Sequence, residues 1–373
     1  MSASLNAEVR GTGLLRRRSV RQRSGLVVAS LALSGSSLML AVLGSTASAG
    51  ASSSGSTSAK VPLVLYAAEG YDSAMAAAFQ KATGIPVQLD DDSTGPLLAK
   101  VVAERNNPKW GILWVDGATA FAGLDQQGLL YRGFEPNVNF TTIGNANIPK
   151  DKSYVPTGLT LMPGIVYNSS VLSKSQLPTS YAALLGPSWK GAVGMNDPAV
   201  SGPTYPFVAG LMNQLGGVSQ GESYFTKLKS NGLNVYQTND VTLNALESGT
   251  IKVALIQSSA GIGASLKTPN VKVDFVPHAT VLPGAIGIDK KASPTVRAEA
   301  EKFINFVLST KGQKVQQSGD PVGDSLYWPV LQGIAPKAGL PTLSGISTQT
   351  INPYLWGSRE NTINQWFTQN ITS

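Results

Sequence analysis

Two polar loops of this sequence carry the residue types of an anion-binding site. In residues 90–96, three aspartates are followed by Ser93, Thr94 and Gly95, and an apolar, helix-like pattern begins directly afterwards. Residues 196–204 repeat these ingredients and also lead into an apolar segment. Helix starts expose backbone N–H groups, hydroxyls donate hydrogen bonds, and glycine lets a ligand approach closely. The sequence therefore predicts that the two loops face each other across a cleft.

The candidate site residues divide by the charge that they would bind. The donors for an oxyanion are Ser93, Thr94, Gly95, Ser201, Gly202, Thr204, Gln257, Ser258 and Ser259. The carboxylates that could pair with a cationic group are Glu69, Asp92, Asp116 and Asp197. We expect at least one of these carboxylates to contact the ligand, and Tyr205, Tyr167 and Tyr327 are candidate walls. Because adjacent aspartates repel a bare dianion, the first loop favours a zwitterion whose ammonium meets Asp92.

Each of these residues also has an ordinary structural role open to it. Serine and threonine cap helices, and a Gly-Pro step is a common helix start. Carboxylates after strands cap helices or lie in solvated turns, and tyrosines in such segments pack in cores. His278, the one histidine of the chain, has no cluster of partner residues around it in the sequence and is expected to be structural.

The composition excludes several function classes. The 373 residues contain no cysteine and one histidine, so disulfides, thiolate metal sites and the usual zinc ligand sets are absent or hard to build. A Ser-His-Asp hydrolase is disfavoured for the same reason. The sequence predicts a protein that needs no cofactor and is held together by a large apolar core.

The first 60 residues are predicted to precede the fold. Residues 1–49 combine a basic segment, an apolar segment and an Ala-Ser-Ala cleavage motif, as in a signal peptide, with a retained membrane anchor as the alternative. Residues 50–60 are a Ser- and Gly-rich tether. The signal holds six arginines and one glutamate, so five of the seven net positive charges leave with it. We expect an exported protein, in the periplasm or at the extracellular face of the cell envelope, without a nucleic-acid surface.

From residue 61 onward, apolar strand-like runs alternate with polar loops and helical patterns. This alternation predicts an α/β fold with ligand loops at the carboxyl ends of parallel strands. Its length favours two lobes. The first lobe is predicted to comprise 61–157 and 281–330, and the second to comprise 158–280 and 331–373. The chain is expected to cross between them near 158–167 and 271–282, and to form one long helix over 294–317.

Several residue runs, in this order, carry a resemblance to a known family. They are Ala82-Thr83-Gly84-Ile85-Pro86-Val87, Asp91-Asp92-Ser93-Thr94-Gly95-Pro96-Leu97-Leu98-Ala99-Lys100, Leu124-Asp125-Gln126-Gln127-Gly128-Leu129-Leu130, Trp189-Lys190-Gly191, Met195-Asn196-Asp197-Pro198, Ser201-Gly202-Pro203-Thr204-Tyr205 and Ala300-Glu301-Lys302-Phe303. With them the chain resembles the extracellular solute-binding proteins of ABC importers, in the group that includes ferric-ion and 2-aminoethylphosphonate binders.

The resemblance implies a two-lobed periplasmic-binding-protein fold of type II-like topology, each lobe a mixed sheet flanked by helices and joined to the other by two crossing strands. It implies a non-enzymatic receptor, expected to be a monomer, that closes on a small anionic or zwitterionic solute and docks on an ABC permease in the membrane.

The same resemblance bears on the ligand. Ferric binders of the group use a consecutive tyrosine pair, whereas the matching loop here reads Gln257-Ser258-Ser259 and the chain has no Tyr-Tyr pair. Since Fe(III) needs hard anionic donors such as phenolate, the sequence favours a phosphonate resembling 2-aminoethylphosphonate. Three alternatives stay open. They are a ferric site if Tyr205, Tyr167 or Tyr327 converge, a receptor for another polyvalent anion or for a polyamine, and an exported enzyme acting on phosphoesters.

Overall fold

The structure is a computed structural model that describes residues 61–320 and 325–373. In this part of the chain, two mixed β-sheets are flanked by helices, as the alternating pattern predicts. The predicted signal peptide (1–49) and tether (50–60) lie outside the described residues.

The described residues form eleven strands and twelve helices. The strands are β1 (Leu63–Ala67), β2 (Val87–Asp91), β3 (Ile112–Asp116), β4 (Tyr154–Met162), β5 (Gly164–Asn168), β6 (Val193–Asn196), β7 (Asn234–Tyr236), β8 (Val253–Ile256), β9 (Val271–Asp274), β10 (Ala279–Ile288) and β11 (Thr348–Gln349). The helices are α1 (Asp72–Thr83), α2 (Thr94–Ala103), α3 (Ala118–Gln126), α4 (Thr142–Ala146), α5 (Thr204–Gln214), α6 (Val218–Ser230), α7 (Asn239–Glu247), α8 (Ser258–Lys267), α9 (Pro294–Val307), α10 (Thr310–Gly319), α11 (Pro353–Gly357) and α12 (Glu360–Phe367). Single 3-10 turns cover Lys174–Gln176, Ala182–Leu185, Pro187–Trp189 and Leu343–Gly345, and a π-helical turn covers Thr368–Thr372.

The first sheet has the strand order β11-β10-β3-β1-β2. Strand β10 also pairs with β4, which lies outside this order. Strands β1, β2 and β3 run parallel, and β10 runs antiparallel to β3 and β4. The sheet is covered on both faces, because Ile112 and Trp114 pack in one apolar cluster while Leu113 and Val115 pack in another. We call this sheet and the helices packed on it the first lobe.

The second sheet has the order β7-β6-β8-β5-β9, in which β6, β7 and β8 run parallel. Strand β8 again alternates between two apolar clusters, with Leu255 in one and Ile256 in the other. Phe225 of α6 stacks edge-to-face on Phe207 and Phe367 and fills the larger cluster. We call this sheet and its helices the second lobe.

Two connections join the sheets. Strand β4 ends in the first sheet at Met162, and β5 begins in the second sheet two residues later. The chain returns between β9 and β10, through a turn in which His278 has φ +64°. The backbone of His278 donates to Ser347 Oγ and accepts from Gln214 Nε2, so it anchors this turn. The predicted crossing regions 158–167 and 271–282 each contain one of these connections.

The predicted single helix over 294–317 is wrong, because the structure has two helices that meet at Leu308 and Ser309. The N–H of Gly312 donates to Ser309 Oγ at 3.1 Å, and this bond caps the start of α10.

We expect Ser309→Ala to lower the free energy of unfolding by about 1 kcal/mol, since it removes this cap while α10 stays packed on α1. Urea denaturation measures the change. Ser309→Asp, which restores an accepting oxygen at a helix start, serves as the control and should recover most of the loss. An alanine variant as stable as the wild type would show that the cap contributes nothing.

The segment 331–373 divides between the lobes, whereas the sequence assigned all of it to the second. Strand β11 pairs with β10 of the first sheet, and α11 packs along α3. The second-lobe core is joined by Ile351, by Trp356 of α11, and by Ile363, Phe367 and Ile371 of α12 and the turn after it. The two-residue pairing of β11 is a tertiary contact without a local pattern, which is why the sequence did not indicate it. The other lobe boundaries stay predictions.

Candidate functional site

A cleft of about 880 Å³ lies where loops from both sheets meet. Its walls come from the loops after β1, β2 and β3 on one side and after β6, β7 and β8 on the other. These are the carboxyl ends of parallel strands, where α/β proteins bind ligands. The cleft therefore lies where the strand order alone would place a binding site.

Two carboxylates, Glu69 and Asp116, form the floor of the cleft and are 3% and 4% exposed. Glu69 lies two residues after β1, and Asp116 is the last residue of the adjacent parallel strand β3. Two residues beyond the paired Ala67 and Trp114, the sheet brings their backbones close together. A methyl group built on Gly284 of β10 would lie 3.3 Å from Asp116 Oδ1 and 3.4 Å from Glu69 Oε1. Both carboxylates thus converge on the same glycine backbone, which leaves them room.

Neutral donors surround this carboxylate pair. The Tyr327 hydroxyl donates to Asp116 Oδ2 at 2.8 Å and lies 3.3 Å from Glu69 Oε2. The Tyr71 hydroxyl donates to Glu69 Oε2 at 3.0 Å. Gln257 reaches across from the second lobe, and its Nε2 lies 2.8 Å from Asp116 Oδ2 and 2.8 Å from the Tyr327 hydroxyl. These donors orient the carboxylates without neutralising them.

Two pKa shifts follow from this burial. Burial, and then the negative charges of Glu69 and Asp116, raise the pKa of Tyr71 well above its usual value, so Tyr71 remains a hydrogen-bond donor. Asp72, the next residue, lines the cleft and accepts from the N–H of Glu69 at 3.3 Å. Burial, and then the charge of Asp91, raise the pKa of Asp72 to about 7.

The cleft is strongly acidic. Among the described residues, the carboxylates that line it are Glu69, Asp72, Asp91, Asp92, Asp116, Asp240, Glu247 and Asp320. Lys267 is the one lysine in the same lining, which contains no arginine in the part of the chain that the structure describes. A field of this sign attracts cations and repels anions.

The two predicted anion loops touch each other directly beside the cleft. The N–H of Gly95 donates to Val200 O at 3.1 Å, and Gly202 packs against the side chain of Thr94. The helix-start N–H of Gly95 is therefore bound to protein. Ser93, Thr94, Ser201 and Gly202 line the cleft, as do Glu69, Asp92, Asp116 and Gln257.

Six candidate residues lie outside the cleft lining, and three of them stabilise the loop after β6. Gly95 bonds to this loop, as described above. Asp197 Oδ1 accepts from the N–H of Ala199 at 2.9 Å, and its carbonyl accepts from Ser201. Thr204 is fully buried at the start of α5. These three residues take part in contacts that shape the loop, and their binding of a ligand stays a prediction.

The other three also make structural contacts. Tyr205 lies in the second-lobe core and donates to the carbonyl of Trp356. Ser258 Oγ bonds to Thr160 Oγ1 at 2.7 Å and accepts from the N–H of Leu161 at 3.0 Å, and the N–H of Ser259 donates to Thr160 Oγ1. They tie the start of α8 to β4. A serine-rich loop after a strand is compatible with either role, so the sequence could not separate them.

The tyrosines required for a ferric site do not converge. Tyr167 and Tyr205 both belong to the second-lobe core, and of the three only Tyr327 reaches the carboxylate pair. Residues 61–320 and 325–373 hold no group of three or more histidine and carboxylate side chains placed to bind a metal ion.

The sequence did not indicate Tyr71, Asp72 or the acidic residues of α7 as part of the site. In the sequence, Tyr71 and Asp72 are fully explained by their position at the start of a helix, where Tyr71 is the N-cap and Asp72 the first helical residue. Asp240, Asn244 and Glu247 lie one turn apart on α7 and face the cleft. Their spacing of four and three residues indicates one helix face, but only the fold shows that this face borders the site.

Comparison with known proteins decides the family. A family model for bacterial extracellular solute-binding proteins matches residues 74–342. The chain belongs to this family. This solute-binding protein is 27% identical over 250 residues to the major ferric iron-binding protein of Neisseria meningitidis, an alignment that covers 65% of this chain and 73% of the relative.

Two solved structures share the fold of this solute-binding protein. Iron-bound HitA from Pseudomonas aeruginosa superposes with a TM-score of 0.69 at 22% identity, over 82% of this chain and 98% of HitA. The periplasmic binding protein AfuA from Actinobacillus pleuropneumoniae, with fructose-6-phosphate bound, gives 0.72 at 19% identity, over 83% and 98%. The predicted two-lobed fold is confirmed. At these identities the likeness shows the fold and leaves the ligand open.

The family also fixes the general role. This solute-binding protein binds a small solute and delivers it to an ABC permease, and it is not an enzyme. The matching family model describes extracellular proteins of bacteria. None of the helices in the described part of the chain combines the length and the apolar character that crossing a membrane requires.

Proposed function

We propose that this solute-binding protein captures a small solute with a cationic ammonium group, which sits on Glu69 and Asp116. The observation that carries the proposal is this buried carboxylate pair at the floor of an otherwise acidic cleft. We further propose that it acts as a monomer after export, in the periplasm or at the extracellular face of the cell envelope.

The electrostatic magnitudes support an ammonium ligand. One ion pair at 4 Å is worth about 4 kcal/mol at an effective dielectric constant of about 20. An ammonium at the floor would interact favourably with both Glu69 and Asp116, while a dianion at the same place would be repelled by both. Tyr327, Tyr71 and Gln257 hold the carboxylates in position, so little reorganisation is needed on binding.

Two ligand classes fit an ammonium at the floor. A polyamine would place its further amines near Asp240 and Glu247 on the opposite wall, and the excess of carboxylates favours this class. A zwitterion such as 2-aminoethylphosphonate is the second candidate, because the hydroxyl residues Ser93 and Ser201, together with Lys267, line the same cleft. Its phosphonate would then lie at the loop side of the cleft, away from Glu69 and Asp116.

A matched ligand set tests the proposal. Thermal shift and calorimetry are measured with spermidine, putrescine, 2-aminoethylphosphonate and ethylphosphonate, the last of which lacks the amine. A ligand at 100 times its dissociation constant should add about 2.7 kcal/mol to the free energy of unfolding. We expect at least one amine to bind and ethylphosphonate not to bind. Binding of ethylphosphonate as tight as that of 2-aminoethylphosphonate would overturn the ammonium site.

A further inference from the structure

We infer that a direct contact between the two lobes, made by Thr94 and Gly95 on one side and residues 199–202 on the other, holds the cleft closed and so determines its affinity. We call this contact the latch. It is formed by protein atoms alone, and the inference therefore does not depend on which solute is bound.

The latch is an unusually close approach of two chain segments. The N–H of Gly95 donates to Val200 O at 3.1 Å. A β-carbon on Gly95 would lie 2.0 Å from Ala199 O, and one on Gly202 would lie 2.5 Å from the side chain of Thr94. Since a β-carbon essentially never comes within 3.0 Å of a heavy atom to which it is not covalently linked, the lobes could not approach this closely if either residue were alanine.

Neither glycine is required by its own backbone. Gly95 lies in the first turn of α2, and Gly95 and Gly202 are both absent from the residues with positive φ in the described part of the chain. An alanine at position 95 even has a higher helix propensity. The need for glycine at these positions therefore comes from the lobe-to-lobe contact and not from the fold of either lobe.

Both sides of the latch are rigid. Thr94 and Gly95 begin a helix whose Leu97 and Val101 are buried against the first sheet. On the other side, Asp197 fixes its loop by accepting from Ala199 through Oδ1 and from Val200 and Ser201 through its carbonyl. A rigid pair of surfaces cannot yield to an added methyl group, so the lobes must separate instead.

The consequence is a shift in the population of the closed form. Apparent affinity falls in proportion to the fraction of protein in the binding-competent state. A variant that cannot close the latch should lose closed population and affinity by about the same factor, which we expect to be about tenfold or more.

Distance measurements by pulsed electron paramagnetic resonance test the inference without a ligand. The chain has no cysteine, so Lys81→Cys on α1 and Lys227→Cys on α6 would accept exactly two spin labels, both at exposed positions of different lobes. In this labelled background, Gly95→Ala and Gly202→Ala are compared with Gly345→Ala. Gly345 is the control because an added β-carbon there meets nothing within 4 Å.

We expect the short-distance population of the labelled protein to fall about tenfold in Gly95→Ala and Gly202→Ala and to stay unchanged in Gly345→Ala. Circular dichroism confirms that each variant is folded. A background protein without a short-distance population, or latch variants that retain it, would overturn the inference. Because the distance measurement uses no solute, its outcome does not depend on whether the ammonium proposal is right.

Discussion

Glu69→Gln and Asp116→Asn are each expected to weaken binding of an ammonium-bearing solute about 100-fold. Each substitution keeps the shape of the side chain and removes one charge of the floor pair. A charge-assisted hydrogen bond in a partly buried site contributes about 1.5–3 kcal/mol, and the ion-pair attraction adds to it. Calorimetry with the tightest amine of the ligand set measures the loss.

A control variant distinguishes the loss of a charge in the cleft from a general loss of folded protein. Asp274→Asn is the matched control, because Asp274 pairs with Lys174 at the second sheet and does not line the cleft. Its dissociation constant should stay within about threefold of the wild type. The double variant at 69 and 116 should lose less than the product of the single effects, since the two carboxylates act on one group. Unchanged binding in both single variants would contradict an ammonium at the floor.

The elements of this fold were predictable because their patterns are local. Strands such as β3 are short apolar runs that end at a polar residue, and helices such as α1 end at a glycine with left-handed φ. The break between α9 and α10 also has a local signal, because Ser309 stands as a cap before Thr310. The apolar residues before Ser309, such as Phe306 and Val307, favoured the interpretation of one long helix.

The carboxylates of the site were predictable for a related reason. Glu69 follows β1 and Asp116 ends β3, and parallel strands bring their carboxyl ends together. Tyr327 was less accessible to sequence reasoning, since it is separated from Asp116 by 211 residues and from Glu69 by 258. No local pattern predicts a hydrogen bond over such a separation.

The anion site at the start of α2 shows the limit of motif reasoning. The residues Ser93, Thr94 and Gly95 have the right types, and Ser93 and Thr94 do line the cleft. The N–H of Gly95 is nevertheless bound to Val200 O, because the other lobe comes close enough to accept it. A sequence motif indicates which groups are present, but the distance between the lobes decides which of them remain for a ligand.

Asp72→Asn is expected to stabilise the protein at neutral pH and to have little effect near pH 4. The pKa of Asp72 is raised to about 7 from a usual value of 3.8, by burial and then by Asp91. Between these two values the folded protein keeps the proton that the unfolded chain releases, so this group makes the free energy of unfolding fall as pH rises. Above pH 7 the penalty is constant, and the full shift corresponds to on the order of 4 kcal/mol.

Urea denaturation from pH 4 to pH 8 tests this pH dependence as the difference between variant and wild type, which cancels the contributions of other groups. The asparagine side chain retains an oxygen that can accept from the N–H of Glu69. The difference should grow through pH 4–7 and then level, whereas Asp274→Asn should change by less than about 1 kcal/mol over the same range. A flat difference for Asp72→Asn would show that its carboxylate ionises normally.

An ammonium bound beside Asp72 would lower the pKa of that carboxyl group. Below pH 7, solute binding should therefore release protons, which calorimetry in buffers of different ionisation enthalpy detects.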